Sequence, residues 1–306
     1  MVKMEHKSVL VEEICSAFHS AKNGIVVDAT CGEGGHSIEI LKRVQPLKLL
    51  AIDVDKDILE KAKKNIGNDN RVTFINANFI ELEDILKKEN ISKVDAILFD
   101  LGISKYHYLK SGRGFSFNAD EPLDMRLSLS QKLTAFDVVN YYSEDKLKKI
   151  LWAFGEERFS VIIARKIVEE RKKKKIQTAK QLAEIISKTV PKKFYDKIHP
   201  ATKTFQALRI EVNSELLNLE YILEYAAKSL NSKGKLAVIT FHSLEDRIVK
   251  HKFCELSTGE VIDELRGIKK QAEYVVVTKK PVEPSQTEIR LNPSSRSAKL
   301  RILEKI

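Results

Sequence analysis

The chain has 306 residues, a formal net charge of +10, and three cysteines (Cys15, Cys31 and Cys254) without C-x-x-C pairing, which excludes a disulfide framework and offers no structural zinc site. No apolar run reaches the ~20 residues of a membrane span, and the N-terminus lacks the basic-then-apolar order of a secretion signal, so a cytoplasmic protein is expected. The positive balance favours a polyanionic partner, nucleic acid foremost, with a lysine-rich solvated surface as the plain alternative.

Short apolar runs over 25–30, 47–53, 72–77 and 94–101 alternate with helical apolar spacing over 36–44, 57–66 and 81–88. That alternation predicts a parallel sheet wrapped by helices. Strand character then disappears from Tyr106 to Phe205, where only helices with readable starts remain. Arg171-Lys-Lys-Lys-Lys175 ends one of them, where cations suit the helix dipole and suit RNA equally. Ser143 precedes an amphipathic stretch ending at Gly155. Thr178-Ala-Lys-Gln181 is a capping-box pattern that sets Leu182, Ile185, Ile186 and Val190 on one face.

Pro200 then opens a long helix expected to run to Asn231, and strand character returns over 235–241. Ser243-Leu-Glu-Asp246 offers a second capping box ahead of a helix over 247–256. Alternating runs at 273–279 and 298–304 fit an antiparallel pair closing one sheet edge. The expected fold class is α/β: a Rossmann-like, mostly parallel sheet with an antiparallel C-terminal edge pair and an inserted all-helical domain. The domains are expected at 1–105 with 206–306, and at 106–205.

Ligands of open α/β sheets bind outside the carboxyl ends of the strands. Those positions are Gly32 to His36, Asp53, Asn78-Phe79, Asp100 to Ser104 and His242-Ser243. Gly32-Glu33-Gly34-Gly35-His36-Ser37 lacks the closing glycine of the dinucleotide fingerprint, and no G-x-x-x-x-G-K-[ST] occurs. S-adenosylmethionine fits such a site, since it needs close backbone and a ribose carboxylate, here Asp53, but no phosphate cradle. Read alone, the same turn equally serves as a tight βα corner with Asp53 as a helix cap. Phe79 is either an adenine wall or a core aromatic, and His242-Ser243 is either an acid–base site or a strand-end cap.

Seven blocks together resemble one family: Asp28-Ala-Thr-Cys-Gly-Glu-Gly-Gly-His-Ser37, Phe99-Asp-Leu-Gly-Ile-Ser104, Arg113-Gly-Phe-Ser-Phe117, Pro122-Leu-Asp-Met-Arg126, His199-Pro-Ala-Thr-Lys-Thr-Phe-Gln-Ala-Leu-Arg-Ile-Glu-Val-Asn213, Phe241-His-Ser-Leu-Glu-Asp-Arg247 and Asn292-Pro-Ser-Ser-Arg-Ser-Ala-Lys-Leu-Arg301. The chain resembles the RsmH (MraW) family nearly end to end. The likeness implies a methyltransferase that uses S-adenosylmethionine to modify the N4 atom of a cytosine in the decoding region of 16S ribosomal RNA, within the small ribosomal subunit. Oligomeric state stays open, with a homodimer as one option.

By motif position, the likeness assigns cofactor contacts to Gly34, Gly35, His36, Asp53, Phe79 and Asp100. Lys105-Tyr106-His107 stands where many relatives have Ser-Pro-Gln, which makes His107 the remaining cofactor contact. Asp100, with the backbone through Ser104, is the candidate for accepting the amine proton. Arg113 is the candidate cation for the RNA backbone, so Asp100, Ser104 and Arg113 form the expected catalytic set. Phe115 and Phe117 are stacking candidates or anchors of the insertion. Arg290 and Arg296 are further RNA-contact candidates. No metal is expected.

Overall fold

The computed structural model describes residues 8–191, 199–258, 261–263, 268–269 and 272–306. The first hundred residues alternate helix and strand as their spacing predicts: α1 (Val11–Ala17), β1 (Ile25–Asp28), α2 (Gly35–Arg43), β2 (Lys48–Asp53), α3 (Lys56–Ile66), β3 (Val72–Asn76), α4 (Leu82–Lys88) and β4 (Val94–Asp100). Among the described residues six α-helices follow: α5 (Lys105–Leu109), α6 (Ala135–Tyr141), α7 (Glu144–Gly155), α8 (Ser160–Lys173), α9 (Ala179–Thr189) and α10 (Thr202–Asn213). The chain ends through α11 (Glu215–Lys228), β5 (Leu230–Thr240), α12 (Ser243–Leu256), the small pair β6 (Val261–Asp263) and β7 (Ile268–Lys269), β8 (Tyr274–Val276), α13 (Gln286–Leu291) and β9 (Lys299–Lys305).

Two compact units result: Met1–Ile103 with Leu216–Ile306, and Ser104–Glu215. The first holds a seven-stranded sheet in the order β3-β2-β1-β4-β5-β9-β8. β1 to β5 pair in parallel, while β9 runs antiparallel to both β5 and β8. This is the Rossmann-like α/β sheet with its antiparallel edge pair. Alternate residues of each strand face opposite layers. Val27, Leu50, Ile97, Phe99 and Val238 pack against Leu82, Ile85, Leu219, Leu223 and Phe253 of α4, α11 and α12. Val26, Leu49, Ala96, Leu98 and Ile239 pack against Ile14, Ile40 and Leu41 of α1 and α2. Because both faces are covered, the inner strands read as continuous apolar runs.

Strand order reverses between β1 and β4, where the chain winds one way through β2 and β3 and the other way through β5. That switch point is where such sheets open a crevice. Asp28 closes β1 and Asp100 closes β4, so an acid stands on each side of it.

The second unit is helical, with no strand among its described residues. Its core includes Leu147, Leu151, Ile163, Ile167, Leu182, Ile186 and Leu208. Thr178 does form the expected capping box with Gln181. The family-like block at its end acts as internal glue: Lys203 Nζ and Gln206 Nε2 donate to the carbonyls of Glu156 and Phe154 at the C-terminus of α7. The boundary expected at 205 cuts α10, whereas the structure keeps α10 whole in this unit.

Two expectations of helix geometry are corrected. The long helix from Pro200 is two helices, because Ser214 turns left-handed at φ 52°. The preceding Asn213 side chain is committed elsewhere, accepting from Leu127 N and donating to Met125 O, so the chain breaks there. Pro200 lies two positions ahead of α10 rather than in its first turn. The second capping box belongs to His242 and Glu245, not to Ser243 and Asp246, and α12 starts four residues earlier than expected.

Candidate active site

β1 runs into the glycine turn, and two hydrogen bonds fold that turn onto β2: Cys31 N donates to Ile52 O (2.8 Å) and Gly32 N to Asp53 Oδ2 (2.8 Å). Gly34, at φ 87°, is the cap residue of α2. A Cβ there would come 3.0 Å from Ile66 Cδ1, so the glycine serves both the turn and the packing of α3. The other Asp53 oxygen accepts from Asp55 N (2.9 Å). A carboxylate held in this way at the end of β2 is the kind of acceptor that a ribose hydroxyl requires. The alternative of Asp53 as helix cap is not what forms, since Asp55 caps α3 through Asp57 N.

His36 opens the first turn of α2 and is buried. Its Nε2 lies 2.8 Å from the Val9 carbonyl, and its Nδ1 lies 3.4 Å from Asp100 Oδ2. Thr30 Oγ1 accepts from Asp100 N (2.6 Å), which pins the end of β4 to the turn after β1. Phe79 follows β3, half-buried, with its ring edge-on to Phe99 at 5.5 Å. It packs partly against the core, as one reading of that aromatic has it, and stands just past the end of β3. Gly34, Gly35, His36, Asp53, Phe79 and Asp100 therefore all lie at the carboxyl ends of β1 to β4 in the first unit.

One residue of this cluster was not singled out by sequence reasoning. Asp28 is fully buried, and its Oδ2 accepts from Ser37 Oγ (2.6 Å). Its Oδ1 has no hydrogen-bond partner among the described residues. Burial pushes the carboxyl above the usual range, His36 and the Ser37 hydroxyl pull it back, and Asp100 raises it further. The signal was present in Val26-Val27-Asp28, an acid ending a fully apolar strand. Such a group at a crevice fits a cationic or hydrogen-bond-donating ligand, and the cluster as a whole fits a nucleoside with a charged tail.

Of the remaining site candidates, Ser104, His107, Arg113, Phe117 and Arg171 lie in the second unit, and His242, Arg290 and Arg296 in the first. Ser104 caps α5 by accepting from Tyr106 N (3.1 Å). His107 is buried with its ring 5.1 Å from that of Phe115. Arg113 is buried and donates to the carbonyls of Arg126 and Leu127, both at 3.2 Å. Phe117 stacks on His199 at 4.3 Å and meets Phe205 edge-on, which is the anchoring alternative. Arg171 donates to Val139 O (2.7 Å) and Tyr142 O (2.6 Å), so it closes the C-terminus of α6, while Lys172 to Lys175 stay exposed. His242 forms the strand-end cap and also lies 3.0 Å from Glu245 through Nε2. Arg290 and Arg296 are exposed.

Comparison with known proteins converges on one group. The model of the MraW methylase family matches residues 3–306. A Clostridium botulinum protein named "Ribosomal RNA small subunit methyltransferase H" is 45% identical over 309 residues, covering 100% of both chains. A protein of the same name from Sulfurihydrogenibium azorense is 45% identical over 305 residues, covering 99% of this chain and 100% of its own. A solved structure described as a putative rRNA-methylase from Clostridium thermocellum aligns over 98% of this chain and 100% of its own, at 14% identity and a TM-score of 0.44.

Proposed function

The chain belongs to the MraW methylase family, and from that premise we propose that it transfers a methyl group to the exocyclic N4 of a cytosine in the decoding region of 16S ribosomal RNA. The observation that carries the reading is the cluster at the switch point, where the Gly32–Asp53 bond and the His36–Asp100 contact gather the glycine turn and two strand-end acids. S-adenosylmethionine is the methyl donor and supplies an electrophilic methyl group on a sulfonium. The carboxylate of Asp53 suits the ribose hydroxyls, Phe79 suits the adenine face, and the backbone at Gly34-Gly35 with His36 suits the amino-acid tail. Cytosine N4 is a weak nucleophile because its lone pair is delocalised into the ring. A carboxylate that accepts an N4–H favours the pyramidal nitrogen and removes the proton as the new bond forms. Asp100, a mostly buried but still accessible acid at the end of β4, suits that task.

Motif position alone supports Ser104 as a catalytic residue and His107 as a cofactor contact. The burial of Arg113 against two carbonyls supports a scaffold role for it rather than a phosphate contact. The target base must be unpaired or extruded before N4 is reachable, and a small ribosomal subunit in the cytoplasm is the proposed setting. No helix among the described residues is long and apolar enough to cross a membrane.

The test is transfer of label from methyl-labelled S-adenosylmethionine to small subunits that lack the modification. Wild-type protein labels the RNA, Asp100→Ala loses at least about 100-fold in rate, and Asp53→Ala weakens cofactor binding more than the rate at saturation. Cofactor binding by the wild-type protein with no label in RNA would overturn the proposal.

A further inference from the structure

We infer that His36 and Asp100 act as a coupled proton acceptor, in which Asp100 takes the proton from the substrate amine and His36 Nδ1 receives it from Asp100. The inference rests on the reading of Asp100 just given. Its starting point is the Val9 carbonyl, which can only accept a hydrogen bond. At 2.8 Å it requires His36 Nε2 to carry the hydrogen. In the neutral ring, Nδ1 is then left with a lone pair, and that lone pair faces Asp100 Oδ2 at 3.4 Å. Two acceptors facing each other inside a protein repel, so the contact becomes attractive only when a proton enters between them. The geometry thus holds an open place for one proton.

Exposure sets the order of events. The His36 side chain is 5% exposed and that of Asp100 17%, so the substrate meets the carboxylate and not the ring. His36 is therefore a positioning residue that acts through Asp100. As the methyl carbon bonds to N4, the S–CH3 bond breaks with its electron pair returning to sulfur. One N4–H bond breaks with its pair left on nitrogen, and Asp100 takes the proton. Passing that proton from Oδ2 to Nδ1 restores the carboxylate and leaves an imidazolium. Among the described residues, the charged groups acting on the ring are Asp28 from β1 and Asp100 from β4, and the Val9 carbonyl ahead of α1 is neutral. Asp28, held by Ser37, lies within electrostatic reach of the ring, so an imidazolium at His36 stabilises its carboxylate. The pair works only while its proton place is empty, so transfer is lost as pH falls and solvent fills it.

Long-range ¹H–¹⁵N correlation spectra of the full chain, labelled with ¹⁵N-histidine and free of cofactor, test the pair from about pH 5 to 9. The expected result is a His36 ring with Nε2 protonated throughout and Nδ1 gaining a proton on acidification, at a lower pH in Asp100→Asn. A neutral ring protonated at Nδ1 with bare Nε2 overturns the inference from the wild-type spectrum alone, as does an Nδ1 midpoint that Asp100→Asn leaves unmoved. In single-turnover transfer, His36→Gln is expected to lower the plateau rate about tenfold and move the acid limb to lower pH. A uniform loss with an unchanged pH profile would make His36 merely structural and overturn the relay. Spectra as expected beside a wild-type chain that never labels RNA would overturn the proposed function while leaving the coupled pair standing.

Discussion

Asp28 spends one carboxylate oxygen on Ser37 and leaves the other buried without a hydrogen-bond partner among the described residues. Burial raises its folded pKa above the unfolded value, so its contribution to stability is complete below the unfolded pKa and is lost as pH rises through the folded one. Asp28→Asn removes that titration. Urea melts between about pH 4 and 7 should show the stability difference moving in the variant's favour as pH rises, by no more than about 1.4 kcal/mol per pH unit. A difference flat across that range would contradict the assignment. The glycines sort in the same physical way. A Cβ on Gly34 meets the flexible end of Ile66, whereas one on Gly114 would come 2.2 Å from the backbone oxygen of Pro122. Both have positive φ. Gly34→Ala should cost about 1–2 kcal/mol, and Gly114→Ala about 3 kcal/mol or more, in thermal or urea unfolding. At this scale the sequence made Gly34, Asp53 and Asp100 legible, because strand ends of α/β sheets are where ligands meet residues. The His36–Val9 bond was not legible, since it joins positions 27 residues apart through a ring orientation that no local pattern encodes.

Helices and strands followed apolar periodicity closely, and where they departed from it a side chain had been recruited elsewhere. The break at Ser214 follows the use of Asn213 as a clamp on the 125–127 loop, and Arg209 pairs in two-pronged fashion with Glu215 just past the break. The start of α12 moved because a histidine ring replaced the expected serine as cap. Both depend on contacts that the helical pattern of the sequence carries no trace of. A third such contact holds α12 to the sheet. Arg301 of β9 forms two bonds with Asp246, at 2.7 and 3.0 Å, with both side chains mostly buried. Arg301→Leu leaves that carboxylate, among the described residues, with Lys299 3.9 Å away as its cation, and should cost roughly 3 kcal/mol in urea unfolding. Adding Asp246→Leu should restore most of the loss, because the buried unpaired charge is then gone. A double variant as unstable as the sum of the singles would show that the pair acts through something other than its charges.

The whole molecule joins a cofactor-type sheet unit to a helical unit on a strongly basic chain. Alternation of strand and helix over the first hundred residues made the sheet predictable. The silence of strand patterns over the next hundred made the helical unit predictable, though its limits at Ser104 and Glu215 depend on how α10 packs. The charge of +10 pointed to a polyanion without choosing one, and the family narrows that choice to ribosomal RNA. The central claim concerns which atom receives the methyl group. Small subunits lacking the modification should be treated with the protein and S-adenosylmethionine, and their RNA digested to nucleosides for mass spectrometry. The account predicts N4-methylcytidine, formed by the wild-type chain and absent with Asp100→Ala; a methyl group on ring carbon C5, or on any base other than cytosine, would contradict it.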